Sequence, residues 1–147
     1  MNKTAIMLAA MWLGMQITAG YIAAPVLFRE LPRVQAGAIA GELFGFVSYG
    51  GILIWLLLYL VGRLSEKRRN RPPYTGKLVL LQVLLLTANQ YLITPVIDAL
   101  KAQQGNWLLN LAGGTFGMWH GISATVYLAA AVLGGWLVWR LIRLEWR

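Results

Sequence analysis

Long apolar blocks separated by short polar segments make up most of this chain. A helix needs about 20 apolar residues to cross the ~30 Å of hydrocarbon in a bilayer. Four blocks reach that length, and they predict transmembrane helices at 4–28, 35–62, 77–100 and 107–139. The polar segment 63–77 is too short for a soluble domain, so a single transmembrane domain is expected to fill 1–147. The predicted fold class is all-α, a polytopic membrane four-helix bundle.

The composition supports an integral membrane protein. Hydrophobic residues are 59% of the chain and charged residues only 12%, whereas a soluble domain carries roughly 25% charged residues. The chain also has no cysteine, which excludes disulfides, thiolate metal sites and cysteine nucleophiles. Any chemistry must therefore use oxygen, imidazole or thioether groups.

The net charge of +8 is distributed unevenly between the two predicted sides of the membrane. Four spans place both termini and the loop 63–77 on one side. That side carries Lys3, Arg63, Lys67, Arg68, Arg69, Arg71, Lys77, Arg140, Arg143 and Arg147. The other side has Arg29, Arg33 and Lys101. The positive-inside rule therefore predicts a bacterial inner-membrane protein with both termini cytoplasmic, and a lipid bilayer rather than nucleic acid as its partner.

A short motif occurs twice. The stretch "YIAAPVLFREL" at 21–31 resembles "YLITPVIDAL" at 91–100, which aligns Pro25 with Pro95. Glycines four residues apart follow in each next span, and these are Gly37, Gly41 and Gly45, then Gly113, Gly117 and Gly121. Such small-residue faces let helices approach closely in lipid. The pattern predicts an internal repeat, a helical hairpin used twice in parallel orientation, with a glycine zipper in each copy.

The glycine faces do not specify the oligomeric state. They could pack within one bundle, between the protomers of a homodimer, or against a larger membrane complex, because a packing motif does not identify its partner.

Three ionisable groups lie inside the predicted spans: Glu42, Asp98 and His120. Such groups are costly when they face lipid, so they usually face a bundle interior or water. At 1.5 Å per residue, each lies about 30 Å from the inner end of its helix. Gln90 and Thr94 precede Asp98 at four-residue intervals on one helical face. We therefore predict a shallow polar pocket that opens outward, in which Glu42 orients His120.

The candidate ligand-binding residues are Glu42, Gln90, Thr94, Asp98, His120 and Ser123. A simpler interpretation is also open, in which the two carboxylates reach interfacial water and His120 makes one interhelical hydrogen bond.

Soft donors suggest a second kind of site. Met7, Met11 and Met15 form a stripe on span one, and thioethers suit copper(I). The residues of this alternative metal site are His120, Met118 and Met15. A lone histidine could also be an axial ligand of haem. Methionine is equally a common core filler, and no cofactor remains the first expectation. Motifs for nucleophilic, phosphate or zinc chemistry are missing from the sequence, so an enzyme is not the favoured class.

Four short motifs carry a family resemblance: "WLG" at 12–14, "APVLF" at 24–28, "TP" at 94–95 and "HGIS" at 120–123. The chain resembles the small four-helix membrane family typified by transmembrane protein 205, which has a bacterial branch known as a domain of unknown function. The resemblance implies no assigned activity, although the eukaryotic member is associated with resistance to platinum drugs. The architecture is also similar to copper-resistance D-like proteins and a haem-pathway oxidase group, but this chain lacks their additional histidines.

The function expected from the sequence is an inner-membrane module that binds a small ligand, a cation or a partner through an outward-facing polar pocket. The alternatives are a copper- or haem-handling protein that uses His120 and methionines, and an accessory subunit of a larger membrane complex.

Overall fold

The computed structural model describes residues 3–69 and 74–145, and within them the chain is almost entirely helical. The α-helices are α1 (Lys3–Ile17), α2 (Ala24–Glu30), α3 (Arg33–Arg69), α4 (Tyr74–Ala88), α5 (Thr94–Ala102), α6 (Trp107–Ala112) and α7 (Phe116–Glu145). Two π-helical segments, π1 (Thr18–Ala23) and π2 (Asn89–Ile93), join α1 to α2 and α4 to α5.

Four continuous helices are long and apolar enough to cross a bilayer: Lys3–Glu30, Arg33–Arg63, Gly76–Ala102 and Phe116–Arg143. The predictions of an all-helical membrane protein and of four spans are therefore confirmed. α3 continues as a helix to Arg69, so the polar segment 63–77 contains less loop than expected. Residues 70–73 lie outside the described part of the chain.

The fourth span differs from its predicted range of 107–139. The chain forms the short helix α6, leaves it at Gly113, and starts α7 at Phe116. Gly113 and Gly114 have φ angles of 65° and 103°, which a right-handed helix cannot contain and which glycine tolerates best. The Trp119 indole N–H donates to the Gly113 carbonyl over 2.9 Å and holds this link against α7. Gly113 is thus a link residue and does not lie on the α7 face that carries Gly117.

Each π-helical segment ends just before a proline. Proline has no N–H and its ring clashes with the carbonyl four residues earlier, so a regular α-turn cannot pass through it. The wider turn is closed by the Ala24 N–H, which donates to the Ala19 carbonyl, and by the Thr94 N–H, which donates to the Asn89 carbonyl. The sequence signals Pro25 and Pro95 therefore mark a local widening of an otherwise continuous helix.

The four spans stand at the corners of a square bundle. α1 packs against α3 and α7, and α4 packs against the same two helices. Consecutive spans run in opposite directions. Spans one and three therefore run parallel on one diagonal of the bundle, while α3 and α7 occupy the other diagonal.

The core is centred on two buried tryptophans. Trp12 and Trp55 meet edge to face with ring centroids 5.6 Å apart, and the Trp12 indole N–H donates to the Val47 carbonyl over 2.9 Å. A methyl group added at Gly51 would fall inside the Trp12 ring system, and one at Gly134 would lie 3.0 Å from it. These two glycines let α3 and α7 approach the indole of α1 from both sides.

The glycines of the predicted zippers are not close-packed within the chain. A methyl group added at Gly41, Gly117 or Gly121 would meet no atom within 4 Å, and one at Gly37 would touch only the Phe28 ring at 3.9 Å. At Gly45 the neighbour would be Tyr49 of the same helix. The open space at Gly41, Gly117 and Gly121 faces away from the bundle, where lipid or another molecule would contact it.

Candidate functional site

A groove with a volume of about 570 Å³ opens on the bundle surface beside the last turns of the third span. One wall is formed by the end of this span, the opposite side by α3, and the floor by the link between α5 and α6. The lining residues are Tyr49, Gln90, Tyr91, Thr94, Pro95, Asp98, Ala99, Ala102, Gln104, Gly105 and Asn106. A volume of this size is typical of small-molecule sites, which span about 300–1,000 Å³.

The groove contains the polar stripe predicted on span three. Gln90, Thr94 and Asp98 recur every fourth residue and line the same wall. The π2 segment fixes this wall, because the Thr94 hydroxyl donates to the Asn89 carbonyl over 2.9 Å and the Thr94 backbone N–H donates to the same oxygen. The side chain and the backbone of Thr94 are thus tied to one carbonyl, which orients the stripe.

The charge of the groove comes from Asp98. Its carboxylate pairs with the Lys101 ammonium three residues later at an N–O distance of 3.4 Å. The Asp98 side chain is 62% exposed and that of Lys101 is 45% exposed. Exposed pairs of this kind contribute about 0–1 kcal/mol, so a bound cation can displace the lysine at little cost.

Two tyrosines form the aromatic side of the groove. Tyr49 of α3 and Tyr91 of π2 meet edge to face, with ring centroids 6.0 Å apart and an interplanar angle of 71°. Both residues are about half exposed. An exposed aromatic pair beside a carboxylate offers an apolar surface and a negative ring face to a ligand.

The floor of the groove is a hydrogen-bonded turn. α5 ends at Ala102 and is capped by Gln103, whose φ of 54° is left-handed. The Gln104 N–H closes the last turn by donating to the Ala99 carbonyl over 2.8 Å. The Asn106 side-chain oxygen then caps α6 by accepting from the N–H groups of Leu108 and Leu109 at 2.9 and 3.3 Å. This capping fixes the end of the groove that the amide side chains line.

The other predicted site residues lie elsewhere. Ser123 of α7 sits behind the wall, where its hydroxyl donates to the Asn89 side-chain oxygen over 2.9 Å and joins α7 to π2. Glu42 and His120 are exposed on α3 and α7 and do not line the groove. The His120 ring stacks on Phe116 with centroids 5.7 Å apart and planes 11° apart. The structure therefore brings three of the six predicted residues together in the groove.

The soft donors do not form one cluster. Met15 is exposed on α1, and Met118 and His120 are exposed on α7. Residues two apart on a helix point to different sides, so the Met118 thioether and the His120 imidazole diverge. Among the side chains that the structure describes, no three histidine, aspartate or glutamate residues come close enough to hold a metal ion.

Two buried glutamines were not among the predicted site residues. Gln16 of α1 and Gln82 of α4 are fully buried, and their amide groups donate to the α7 carbonyls of Tyr127 and Ala130, each over 3.0 Å. The Tyr127 hydroxyl donates back to the Gln16 carbonyl over 3.1 Å. The side-chain oxygens of both glutamines remain buried without a partner. Their signal in the sequence is an uncharged polar residue within an apolar span, which a criterion based on ionisable groups does not include.

The fold defines a class, the small polytopic helical membrane proteins. Within that class, the chain belongs to the family described as a domain of unknown function, DUF4149, whose model matches residues 7–106. A protein of Aquifex aeolicus (strain VF5), named "Uncharacterized protein", is 32% identical over 133 residues, which cover 90% of this chain and 89% of that relative. No solved structure matches the chain. All residues that line the groove lie inside the family match, whereas α7 lies outside it.

Proposed function

We propose that this membrane protein binds a small amphiphilic cation, an organic ligand with a positive head and an apolar body, in the groove beside the third span. The observation that carries the proposal is the meeting of one exposed carboxylate, Asp98, with the aromatic pair Tyr49 and Tyr91 in a single groove. The groove is large enough for a ligand of about drug size.

Each wall supplies a different part of the recognition. The Asp98 carboxylate attracts the positive head and exchanges its lysine partner for the ligand. The tyrosine rings cover the apolar body and add cation–π attraction, which proteins use to recognise quaternary ammonium ligands. Gln90, Thr94 and the amides of the α5–α6 link add hydrogen-bond groups that fix the orientation of the ligand.

The proposal includes an orientation in the bacterial inner membrane. Basic residues flank the ends of the spans at Arg63, Arg140 and Arg143, and the sequence between spans two and three adds Lys67, Arg68, Arg69, Arg71 and Lys77. The opposite ends have Arg29, Arg33 and Lys101. By the positive-inside rule both termini are cytoplasmic, and the groove then opens to the outer side. A ligand would enter from the aqueous compartment beyond the membrane.

A duplicated hairpin is part of the same proposal. A π-helical segment followed by Pro25 or Pro95 occurs at equivalent places in spans one and three. These spans share a diagonal and a direction, as a parallel repeat about an axis along the membrane normal requires. Only the second copy carries the acid, Asp98, where the first has Phe28 by the same alignment. The relation to transmembrane protein 205-like proteins belongs to this proposal as well.

The alternatives use other residues. A copper or haem site would depend on His120, Met118 and Met15, whose exposed and divergent side chains do not enclose an ion or a macrocycle. A visible spectrum and elemental analysis of gently solubilised protein test that alternative directly. An accessory-subunit role would instead use the exposed glycine faces, and a co-purifying membrane protein would support it.

The experiment is a calorimetric titration of the detergent-solubilised protein with benzyltrimethylammonium and with its neutral isostere, in which carbon replaces nitrogen. We expect the cation to bind in a saturable manner and the isostere to bind at least tenfold more weakly. Asp98→Asn should remove most of that preference. Glu30→Gln is the matched control, because Glu30 is an exposed acid at the same end of the first hairpin, paired with Arg29 at 2.7 Å.

Equal binding of the cation and the isostere would refute the proposed site. So would an equal loss of the preference for the cation in Asp98→Asn and Glu30→Gln.

A further inference from the structure

Glu42 and His120 are polar groups that the groove does not use. Glu42 is the one carboxylate within the span Arg33–Arg63, and His120 is the one histidine of the chain. Both side chains are exposed on the outside of the bundle. Exposed ionisable groups on a membrane-spanning helix are rare, and they usually pair with another group or face water. Their position therefore calls for a partner outside this copy of the chain.

The two residues lie at matching depth. At 1.5 Å per residue, Glu42 lies about 32 Å from Arg63 and His120 lies about 35 Å from Arg143, the ends of their spans on the same side. The difference is less than one helical turn. Two copies that stand side by side in one membrane would thus bring Glu42 of one level with His120 of the other.

The surroundings of both residues allow close approach. Gly41 precedes Glu42, and Gly117 and Gly121 flank His120, each with open space where a side chain would be. Helices that meet at such positions can bring their backbones near enough for interhelical hydrogen bonds. Charge complementarity, an acceptor carboxylate against a donor imidazole, gives this contact its specificity.

We infer that copies of this chain associate side by side in the membrane, with Glu42 of one copy bonded to His120 of the next. α3 and α7 occupy opposite corners of the bundle, so the two faces of one copy point away from each other. One pair of copies cannot satisfy both faces at once. The contact is therefore heterologous and repeats from copy to copy, in a ring or a row, rather than closing as a two-fold dimer.

A second copy fits these faces better than a lipid does. An interfacial lipid head group would not explain why an acid and an imidazole occur at one depth on two separate helices. The inference is independent of the groove, since neither residue lines it.

The absence of cysteine makes a direct test available. Glu42→Cys and His120→Cys are placed in two copies with different tags, co-expressed, and treated in native membranes with a short thiol crosslinker. We expect a crosslinked product that carries both tags. Either variant expressed alone should give little product, because a heterologous contact does not bring like positions together. Leu92→Cys, at an exposed position of π2, replaces either partner as the control and should give none.

Two results would overturn the inference. Strong crosslinking of Glu42→Cys with itself would show a two-fold interface, and equal yields with Leu92→Cys would show random collision. Exchanging the two residues provides a separate check. The measured quantity is the efficiency of energy transfer between differently labelled copies in vesicles. Glu42→Leu should lower that efficiency severalfold, and the exchanged pair Glu42→His with His120→Glu should restore it. The proposed bond would be contradicted if Glu42→Leu left the energy-transfer efficiency unchanged and the exchanged pair did not reach the efficiency of the parent protein.

Discussion

The contact between Gly51 and Trp12 allows the packing of the core to be tested within a single helix. Gly50 and Gly51 are neighbours in α3, but their surroundings differ. A methyl group at Gly51 would overlap the Trp12 indole, whereas one at Gly50 would meet no atom within 4 Å. Gly50→Ala is therefore a matched control for Gly51→Ala, because both replace a helical glycine by alanine.

The size of the expected difference follows from the contacts. Alanine is preferred to glycine inside a helix by about 0.5–1 kcal/mol, a gain common to both variants. Overpacking a filled core typically costs about 1–3 kcal/mol. Moving the indole would also break its hydrogen bond to the Val47 carbonyl, which is typically worth about 0.5–1.5 kcal/mol. We expect the free energy of unfolding of Gly51→Ala to lie about 1.5–4.5 kcal/mol below that of Gly50→Ala.

The assay is equilibrium unfolding in mixed micelles with increasing dodecyl sulfate, followed by far-ultraviolet circular dichroism. Trp12→Phe shortens the side chain and should recover part of the stability lost in Gly51→Ala when the two are combined. Equal stability of Gly51→Ala and Gly50→Ala would refute the argument that the indole requires a glycine at position 51.

Three smaller effects follow from the site geometry. Asn106→Ala removes the α6 cap and should lower the free energy of unfolding by about 1 kcal/mol. Asn110→Ala, on the exposed side of α6, should change it by less than about 0.5 kcal/mol. Thermal unfolding of the two variants measures the difference. Ser123→Ala removes the hydrogen bond to Asn89 and should lower the free energy of unfolding by about 0.6 kcal/mol, the average for interhelical hydrogen bonds in membrane proteins. A loss no greater than that of Asn110→Ala would contradict the role given to this bond. Lys101→Gln removes the competing ammonium and should strengthen binding of benzyltrimethylammonium severalfold without a measurable change in stability. Calorimetry measures the binding, and thermal unfolding measures the stability.

The spans could be predicted because length and apolarity alone decide whether a helix crosses a bilayer. The break at Gly113 and Gly114 was harder to predict, because glycine pairs also occur inside membrane helices. Only the positive φ angles distinguish a link from a packing face. Close glycine contacts likewise occur at Gly20, Gly51 and Gly134 rather than at the regularly spaced glycines, since each depends on an aromatic ring of a distant helix.

The polar stripe Gln90, Thr94 and Asp98 could be predicted because four-residue spacing places side chains on one face of a helix. The expected approach of Glu42 to His120 within one chain could not be judged from depth alone. It depends on the order of helices around the bundle, and α3 and α7 turn out to stand at opposite corners. The partners of Gln16 and Gln82 depend on the same long-range arrangement, which a single sequence does not display.

The central claim, an amphiphilic cation in the groove, is tested most directly by photolabelling the protein in membranes with a photoreactive aryl-ammonium probe and mapping the adducts by peptide mass spectrometry. The account predicts adducts concentrated on Tyr49, Tyr91 and the segment from Thr94 to Asp98, which excess benzyltrimethylammonium suppresses and Asp98→Asn reduces. Adducts spread over the lipid-facing helices, or concentrated at His120 and insensitive to the competitor, would contradict it.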